Sequence, residues 1–251
     1  MESTTVVTGA SRGIGRAVAE AFAEAGHVVW ALARTEGALQ ELAQRHPGRV
    51  RPCIMDAGNA DSVLAAARTV LAGGPPPRVL VNNAGIALSA PLKRTATEDY
   101  RRVMAVNVEA PFLLCRELMP AMADAGFGRV INVASTAALK GFTYTSAYCA
   151  SKHALLGLTR ALALEYAKKQ VTVNAVCPGW TDTDMLQRSV DTIVGSTGRT
   201  ADQARAQLAG MNAMGTLIPP QDVAQLCLFL ASDAASAVTG AAYTMDGGEA
   251  V

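Results

Sequence analysis

Thr8-Gly9-Ala10-Ser11-Arg12-Gly13-Ile14-Gly15 ends a short β-like run, Thr5–Thr8, and leads into a helical pattern that opens at Arg16. Glycine lets the backbone turn tightly and pass close to a pyrophosphate. The helix N-terminus that follows offers unbonded N–H groups and a partial positive charge to an anion. Any tight strand-to-helix turn can use glycine, so the context carries the reading. The order is first strand, helix, then a second strand, Val28–Ala33, at the interval of a dinucleotide-binding unit. Gly9, Ser11, Arg12, Gly13, Ile14 and Gly15 are the expected cofactor-binding residues of this loop.

The same rhythm runs through all 251 residues. Apolar, β-branched runs occupy Thr5–Thr8, Val28–Ala33, Val50–Met55, Val79–Val81, Val130–Val133, Val171–Val176 and Ala242–Met245. Ala-rich stretches with helical spacing lie between them, such as Gly15–Ala25, Glu36–Arg45 and Ser62–Leu71. Strands this short and apolar, alternating with helices, predict one α/β domain. Its sheet should be parallel, seven-stranded and doubly wound, with helices on both faces. Gly73-Gly74-Pro75-Pro76-Pro77 reads as a helix-to-strand loop, not a domain boundary. Pro120 should end or kink the helix that begins near Pro111. The segment 180–217 breaks the rhythm with four glycines and one amphipathic stretch, Ala201–Leu208, and reads as an irregular substrate lid.

Half the residues are hydrophobic and 17% are charged, enough for a substantial core. A net charge of +1 offers no long-range attraction to nucleic acid or anionic lipid. The five cysteines, Cys53, Cys115, Cys149, Cys177 and Cys227, form no CxxC or Cys/His cluster, and the three histidines are scattered. No metal site is expected, and the cysteines read as reduced thiols. No signal-peptide pattern precedes Thr4, and no apolar run reaches transmembrane length. The expectation is a cytoplasmic protein acting on a small molecule, without nucleic acid or membrane partners.

Tyr148 and Lys152 are four residues apart in a helical stretch, Ala147–Lys168, and so share one face, a turn apart. An ammonium beside a phenol favours the phenolate and should lower the tyrosine pKa, making it an acid/base near neutral pH. Ser135 closes the fifth strand, where doubly wound sheets place ligands, and its hydroxyl is placed to hold a substrate oxygen. YxxxK alone is common in helices. A serine thirteen residues earlier at a strand end makes the set much more specific.

The loop spacing is GxxxGxG, and at this point the chain resembles the short-chain dehydrogenase/reductase family, whose loop reads TGxxxGxG. Asn82-Asn83-Ala84-Gly85 is similar to that family's NNAG motif, Ser135, Tyr148 and Lys152 to its catalytic set, and Cys177-Pro178-Gly179 to its PG motif. The resemblance runs from about Thr4 to Gly248 and implies a Rossmann-type domain, usually a homotetramer, reducing or oxidising a carbonyl or alcohol carbon with a nicotinamide cofactor. It gives Asn107 the role of fourth catalytic residue, places Asp56 by the adenine, and sets Asn83, Ala84 and Gly85 beside the cofactor. Tyr148 and Lys152 would also touch the cofactor, as would Pro178, Gly179 and Thr181, with Thr183 at the carboxamide. Part of the tetramer contact would come from helices near Pro111–Ala125 and Ser151–Lys168. Residue chemistry alone also lets Asp56 cap a turn and Asn107 bond backbone.

The end of the second strand sets cofactor choice. Here Ala33 stands where NAD-type relatives carry aspartate, and Arg34 follows it. Arg12 lies in the glycine loop within reach of the same phosphate. Two arginines favour NADP(H) over NAD(H), although Glu36 keeps an acid close in sequence. Around Ser135, the stretch Thr136–Ala147 is mostly neutral, with Lys140 its only charge. The expected substrate is a ketone or 3-oxoacyl thioester. The rivals are an NAD-dependent alcohol or hydroxyacyl-CoA dehydrogenase, a non-catalytic NADP(H) sensor and a sugar-nucleotide epimerase. The epimerase lacks support in the loop spacing and chain length.

Overall fold

The computed structural model describes residues 3–250. In chain order the elements are β1 (Thr4–Thr8), α1 (Gly13–Glu24), β2 (Val28–Ala33), α2 (Glu36–Arg45), β3 (Val50–Ile54), α3 (Ala60–Ala72), β4 (Val79–Asn82), α4 (Thr97–Met104), α5 (Ala110–Asp124), β5 (Gly128–Val133), α6 (Ser146–Tyr166), β6 (Val171–Pro178), α7 (Asp184–Thr197), α8 (Ala201–Ala209), α9 (Pro220–Ala231) and β7 (Ala242–Met245). All seven strands are parallel, in the order β3-β2-β1-β4-β5-β6-β7. This is the doubly wound Rossmann-type α/β fold that the alternating pattern predicts.

The order reverses between β1 and β4. Chain segments leaving those two strands diverge to opposite faces, and a crevice opens at their carboxyl ends. Every residue of β1, β2, β4, β5 and β6 is buried, so apolar residues do not alternate with exposed polar ones along them, and the polar side chains they carry, such as Asn82 and Asn132, are bonded inside. One face of the sheet is covered by α1, α2 and α9, with Val18, Phe22, Leu39, Val223 and Leu230 at its centre. The other face is covered by α3 and α5, with Val63, Val70, Leu114, Leu118 and Met122.

Two local expectations are refined by the structure. Of the two outcomes expected at Pro120, an end to the helix does not occur, since α5 runs on to Asp124. Met119 and Met122 on either side are fully buried against the sheet, and this packing outweighs the lost backbone bond. The segment 180–217 is not irregular. It carries two helices, α7 and α8, whose Leu186, Val190, Ala204 and Leu208 form a small core of their own. Thr200 begins α8 with a full capping box to Gln203.

Candidate active site

The glycine loop is fixed by the strand beside it. Thr8 Oγ1 accepts from the backbone N–H groups of both Asn83 and Ala84, each at 2.9 Å. Asn83 Nδ2 donates back to the Thr8 carbonyl at 2.9 Å. A Cβ on Gly15 would lie 2.3 Å from both Asn83 Nδ2 and the Gly9 carbonyl, so glycine is required there. Gly9 and Gly13 take positive φ, +67° and +55°. Asn83 and Ala84 thus act on the cofactor crevice by holding its loop. Thr8, the threonine of the TGxxxGxG loop, is the hub of these bonds, a role that its place before Gly9 does not by itself reveal.

The residues at this loop fit a pyrophosphate. Arg12 starts α1 without a side-chain cap, and the first turn holds no acidic residue. The orphan N–H groups of that turn therefore face the crevice with their partial positive charge uncompensated by the chain. Arg34 is exposed at the end of β2. Arg12 instead reaches across to Asp184 in the first turn of α7, at 3.5 Å. Asp56 turns the chain after β3, its Oδ1 accepting from Gly58 N–H at 2.9 Å. On the far side of the crevice, Thr181 is buried with its hydroxyl on the Gly179 carbonyl at 3.1 Å. Thr183 Oγ1 donates to Thr181 at 3.3 Å. Thr183 also touches the loop, since a Cβ on Gly13 would meet its Cγ2 at 3.3 Å. The structure therefore brings the 178–183 turn and the glycine loop to one crevice.

Ser135, Tyr148 and Lys152 meet at the end of β5. Tyr148 is half-buried, and the Ser135 hydroxyl accepts from Ala137 N–H at 3.1 Å. Lys152 is 4% exposed, and its Nζ donates to the Val133 carbonyl at 2.9 Å. It lies 5.7 Å from the centre of the Tyr148 ring. Burial lowers the lysine pKa to about 8. The tyrosine differs from expectation: its pKa is raised, by burial above all, with Ser135 pulling the other way. With the ammonium aimed at a carbonyl and the ring desolvated, burial prevails over charge.

Asn107 sits in a π-helical turn, Ala105–Glu109, between α4 and α5. Its Oδ1 accepts from Ile86 N–H, and its Nδ2 donates to the Ile86 carbonyl and to Ser151 Oγ, all at 2.9 Å. It thereby grips the loop after Gly85, and a Cβ on Gly85 would come 3.6 Å from Lys152 Nζ. π-turns of this kind recur at functional sites, and nothing in the sequence marked this one. A second buried amide chain supports the strand ends: Asn82 Nδ2 donates to Asn132 Oδ1 and Asn132 Nδ2 to Thr159 Oγ1, each at 2.8 Å. Cys177 is buried, and burial raises its thiol pKa, consistent with a packing residue. Among the described residues, no cluster of three metal-ligating side chains occurs, and no helix is long and apolar enough to cross a membrane.

This arrangement has clear relatives. Residues 9–249 match a family model described as enoyl-(acyl carrier protein) reductase, one of the short-chain dehydrogenase/reductase models. The chain is 35% identical to a D-beta-hydroxybutyrate dehydrogenase of Cupriavidus necator, over 98% of this chain and 96% of that protein. It is 33% identical to the 3-oxoacyl-[acyl-carrier-protein] reductase FabG of Chlamydia trachomatis, over 100% of this chain and 98% of the relative. Among solved structures, a single-substitution variant of the actinorhodin polyketide ketoreductase with NADPH superposes with a TM-score of 0.95 at 30% identity, covering 99% and 97% of the two chains. The chain belongs to the short-chain dehydrogenase/reductase family. It is an oxidoreductase that uses a nicotinamide cofactor and acts on secondary alcohols or ketones.

Proposed function

We propose that the chain is an NADP(H)-dependent reductase that converts a ketone or a 3-oxoacyl thioester to the secondary alcohol, with Tyr148 as acid/base. The observation that carries this reading is buried Lys152, held at the end of β5 by the Val133 carbonyl and 5.7 Å from the centre of the Tyr148 ring, with Ser135 two residues beyond Val133. The bound nicotinamide supplies the hydride. Ser135 and Tyr148 hold the carbonyl oxygen between two hydroxyls, and Tyr148 gives it a proton as negative charge develops there. The reducing direction needs Tyr148 in its phenol form, which it would give up as negative charge develops on the substrate oxygen. Lys152 would meet the nicotinamide ribose, and Asn107 holds the loop that passes the lysine. A non-catalytic sensor has no need of this set.

Exposed Arg34, with Ala33 in place of an acid, favours the 2′-phosphate of NADP(H). On the substrate side, Ala137 and Ala138 are buried, while Leu139 and Tyr144 are exposed. Lys140, the one charge of that stretch, is engaged by Glu249, which disfavours a small free oxoacid. The helices α7 and α8 act as a substrate lid. The oxidising, NAD-dependent reading has two supports: Arg12 is drawn to Asp184, and a relative is named as a hydroxybutyrate dehydrogenase. The assembly is a homotetramer working in the cytoplasm. Exposed Tyr100 on α4 and Phe112 on α5, with Leu158 of α6, line an open apolar groove of about 530 Å³ that suits helix packing between copies.

The test is initial rates with NADPH and NADH against an acetoacetyl thioester, an aryl ketone, a cyclic ketone and a free 3-oxoacid. NADPH preference with a ketone or thioester supports the reading. NADH preference with the free acid replaces it by the dehydrogenase.

A further inference from the structure

Near the end of the chain, Glu249 carries a carboxylate that is only 1% exposed. Isolated burial of a carboxylate costs several kcal/mol, so a residue that only fills space here would be apolar. The group's surroundings are specific. Its Oε1 accepts from Thr136 Oγ1 at 3.4 Å, and Thr136 is the residue after Ser135. Lys140, at the end of the same turn, donates to the Glu249 main-chain carbonyl and lies 3.8 Å from Oε1. On the other side, a Cβ on Gly179 would fall 2.7 Å from Oε2, so β6 ends against the carboxylate. Burial raises the Glu249 carboxyl pKa, with Lys140, Thr136 and the Trp180 backbone N–H pulling the other way, and Oε2 has no partner in bonding geometry.

The tail that bears Glu249 is itself fastened. Asp246 Oδ1 accepts from Gly248 N–H at 3.1 Å and Oδ2 from Ala250 N–H at 2.8 Å. Gly179 N–H donates to the Met245 carbonyl at 3.1 Å. Met214 N–H, in the stretch after α8, donates to the Gly247 carbonyl at 3.1 Å. The turn after Ser135, the end of β6 and the exit of the α7–α8 segment therefore converge on residues 245–250, and Glu249 carries the contacts to the turn after Ser135.

We propose that Glu249 is a positioning residue for the reaction, its buried carboxylate tying the turn after Ser135 to the Gly179–Trp180 end of β6. The spacing it sets lies between the hydroxyl that holds the substrate oxygen and the strand end facing the nicotinamide. The inference rests on the reductase reading above. Glu249 touches no reacting atom and acts through Thr136, Lys140 and Gly179. A displacement of about 1 Å in such a frame lowers turnover by up to roughly a hundredfold without loss of binding.

The experiment compares wild type, Glu249→Ala, Glu249→Gln and Thr136→Val. It reads kcat, substrate KM, melting temperature and NADPH Kd by fluorescence. Glu249→Ala is expected to lower kcat by at least about tenfold while KM and Kd move less than about threefold. Glu249→Gln keeps an oxygen for Thr136 and restores most of kcat. Thr136→Val, which removes the hydroxyl at constant shape, lowers kcat in the same direction and guards against a misfolded alanine variant. Equal kcat in wild type and Glu249→Ala, or equal losses in the alanine and glutamine variants, overturns the proposal.

If wild type reduces no carbonyl in the panel, the reductase reading has failed, and the tie is then read by amide hydrogen exchange. Faster exchange in Glu249→Ala at both 136–140 and 180–183 supports it. Unchanged exchange at either segment refutes it.

Discussion

Lys152 donates its ammonium proton to the carbonyl of Val133, the last residue of β5, at 2.9 Å. The bond ties the helix that carries Tyr148 to the strand that leads into Ser135. It also holds a cation where burial penalises charge, and the lysine pKa falls to about 8. In the unfolded chain the value returns to about 10.4. Between these limits the unfolded state binds more protons, so this group's contribution to stability rises with pH. Below about pH 8 the buried charge is a cost of about 3 kcal/mol. Urea unfolding of wild type and Lys152→Met should therefore show the difference moving toward wild type as pH rises through that window. A difference independent of pH would show that the lysine is not desolvated.

Gly15 is the least replaceable glycine of the loop, because a methyl there meets Asn83 Nδ2 and the Gly9 carbonyl at 2.3 Å. Gly15→Ala should destabilise the fold by about 1–3 kcal/mol and weaken NADPH binding more than substitution at Gly37, where a Cβ meets nothing within 4 Å. Thermal melts and fluorescence titration check both. A Gly15→Ala variant that binds NADPH as wild type does would remove the loop from the cofactor site.

Cofactor choice should rest on Arg34 more than on Arg12, whose guanidinium is already paired with Asp184. Loss of a charge-assisted phosphate contact is worth about 1.5–3 kcal/mol. Arg34→Ala should raise the NADPH KM by roughly tenfold to a hundredfold and leave NADH nearly unchanged. Asp184→Asn, which releases Arg12, should sharpen the preference for NADPH. Parallel changes with both cofactors would contradict the assignment.

The α7–α8 unit stands on a four-residue core of its own, which includes Val190 and Leu208. Leu208→Ala should loosen this unit before the sheet. The expected result is a higher substrate KM with an NADPH Kd within about twofold of wild type, since the change falls on binding of one ligand only. An unchanged KM would remove its role as a lid.

Strand Val28–Ala33 was legible because burial on both faces favours a short apolar run, and it matches the structure end for end, as does helix Glu36–Arg45. Parts of the site were legible where chemistry demands a residue type at a fixed offset, as for Tyr148 and Lys152. Other parts were hidden for physical reasons. Helix α7 has buried Leu186 and Val190 four apart, but Asp191, Thr192, Gly195 and Ser196 dilute its helical signal. The tyrosine shift had the wrong sign because sequence spacing reports proximity but not desolvation. Glu249 is far in sequence from Thr136 and Lys140, so only the folded chain places its carboxylate beneath the catalytic turn.

The most direct test of the mechanism is Tyr148→Phe, assayed with saturating NADPH and whichever carbonyl compound the wild type reduces. Removing a general acid should lower kcat by about a thousandfold, while the fluorescence-titrated NADPH Kd stays within about twofold, because the ring remains and only the hydroxyl is lost. A variant that keeps kcat within about tenfold of wild type would contradict the role of Tyr148 as the proton donor.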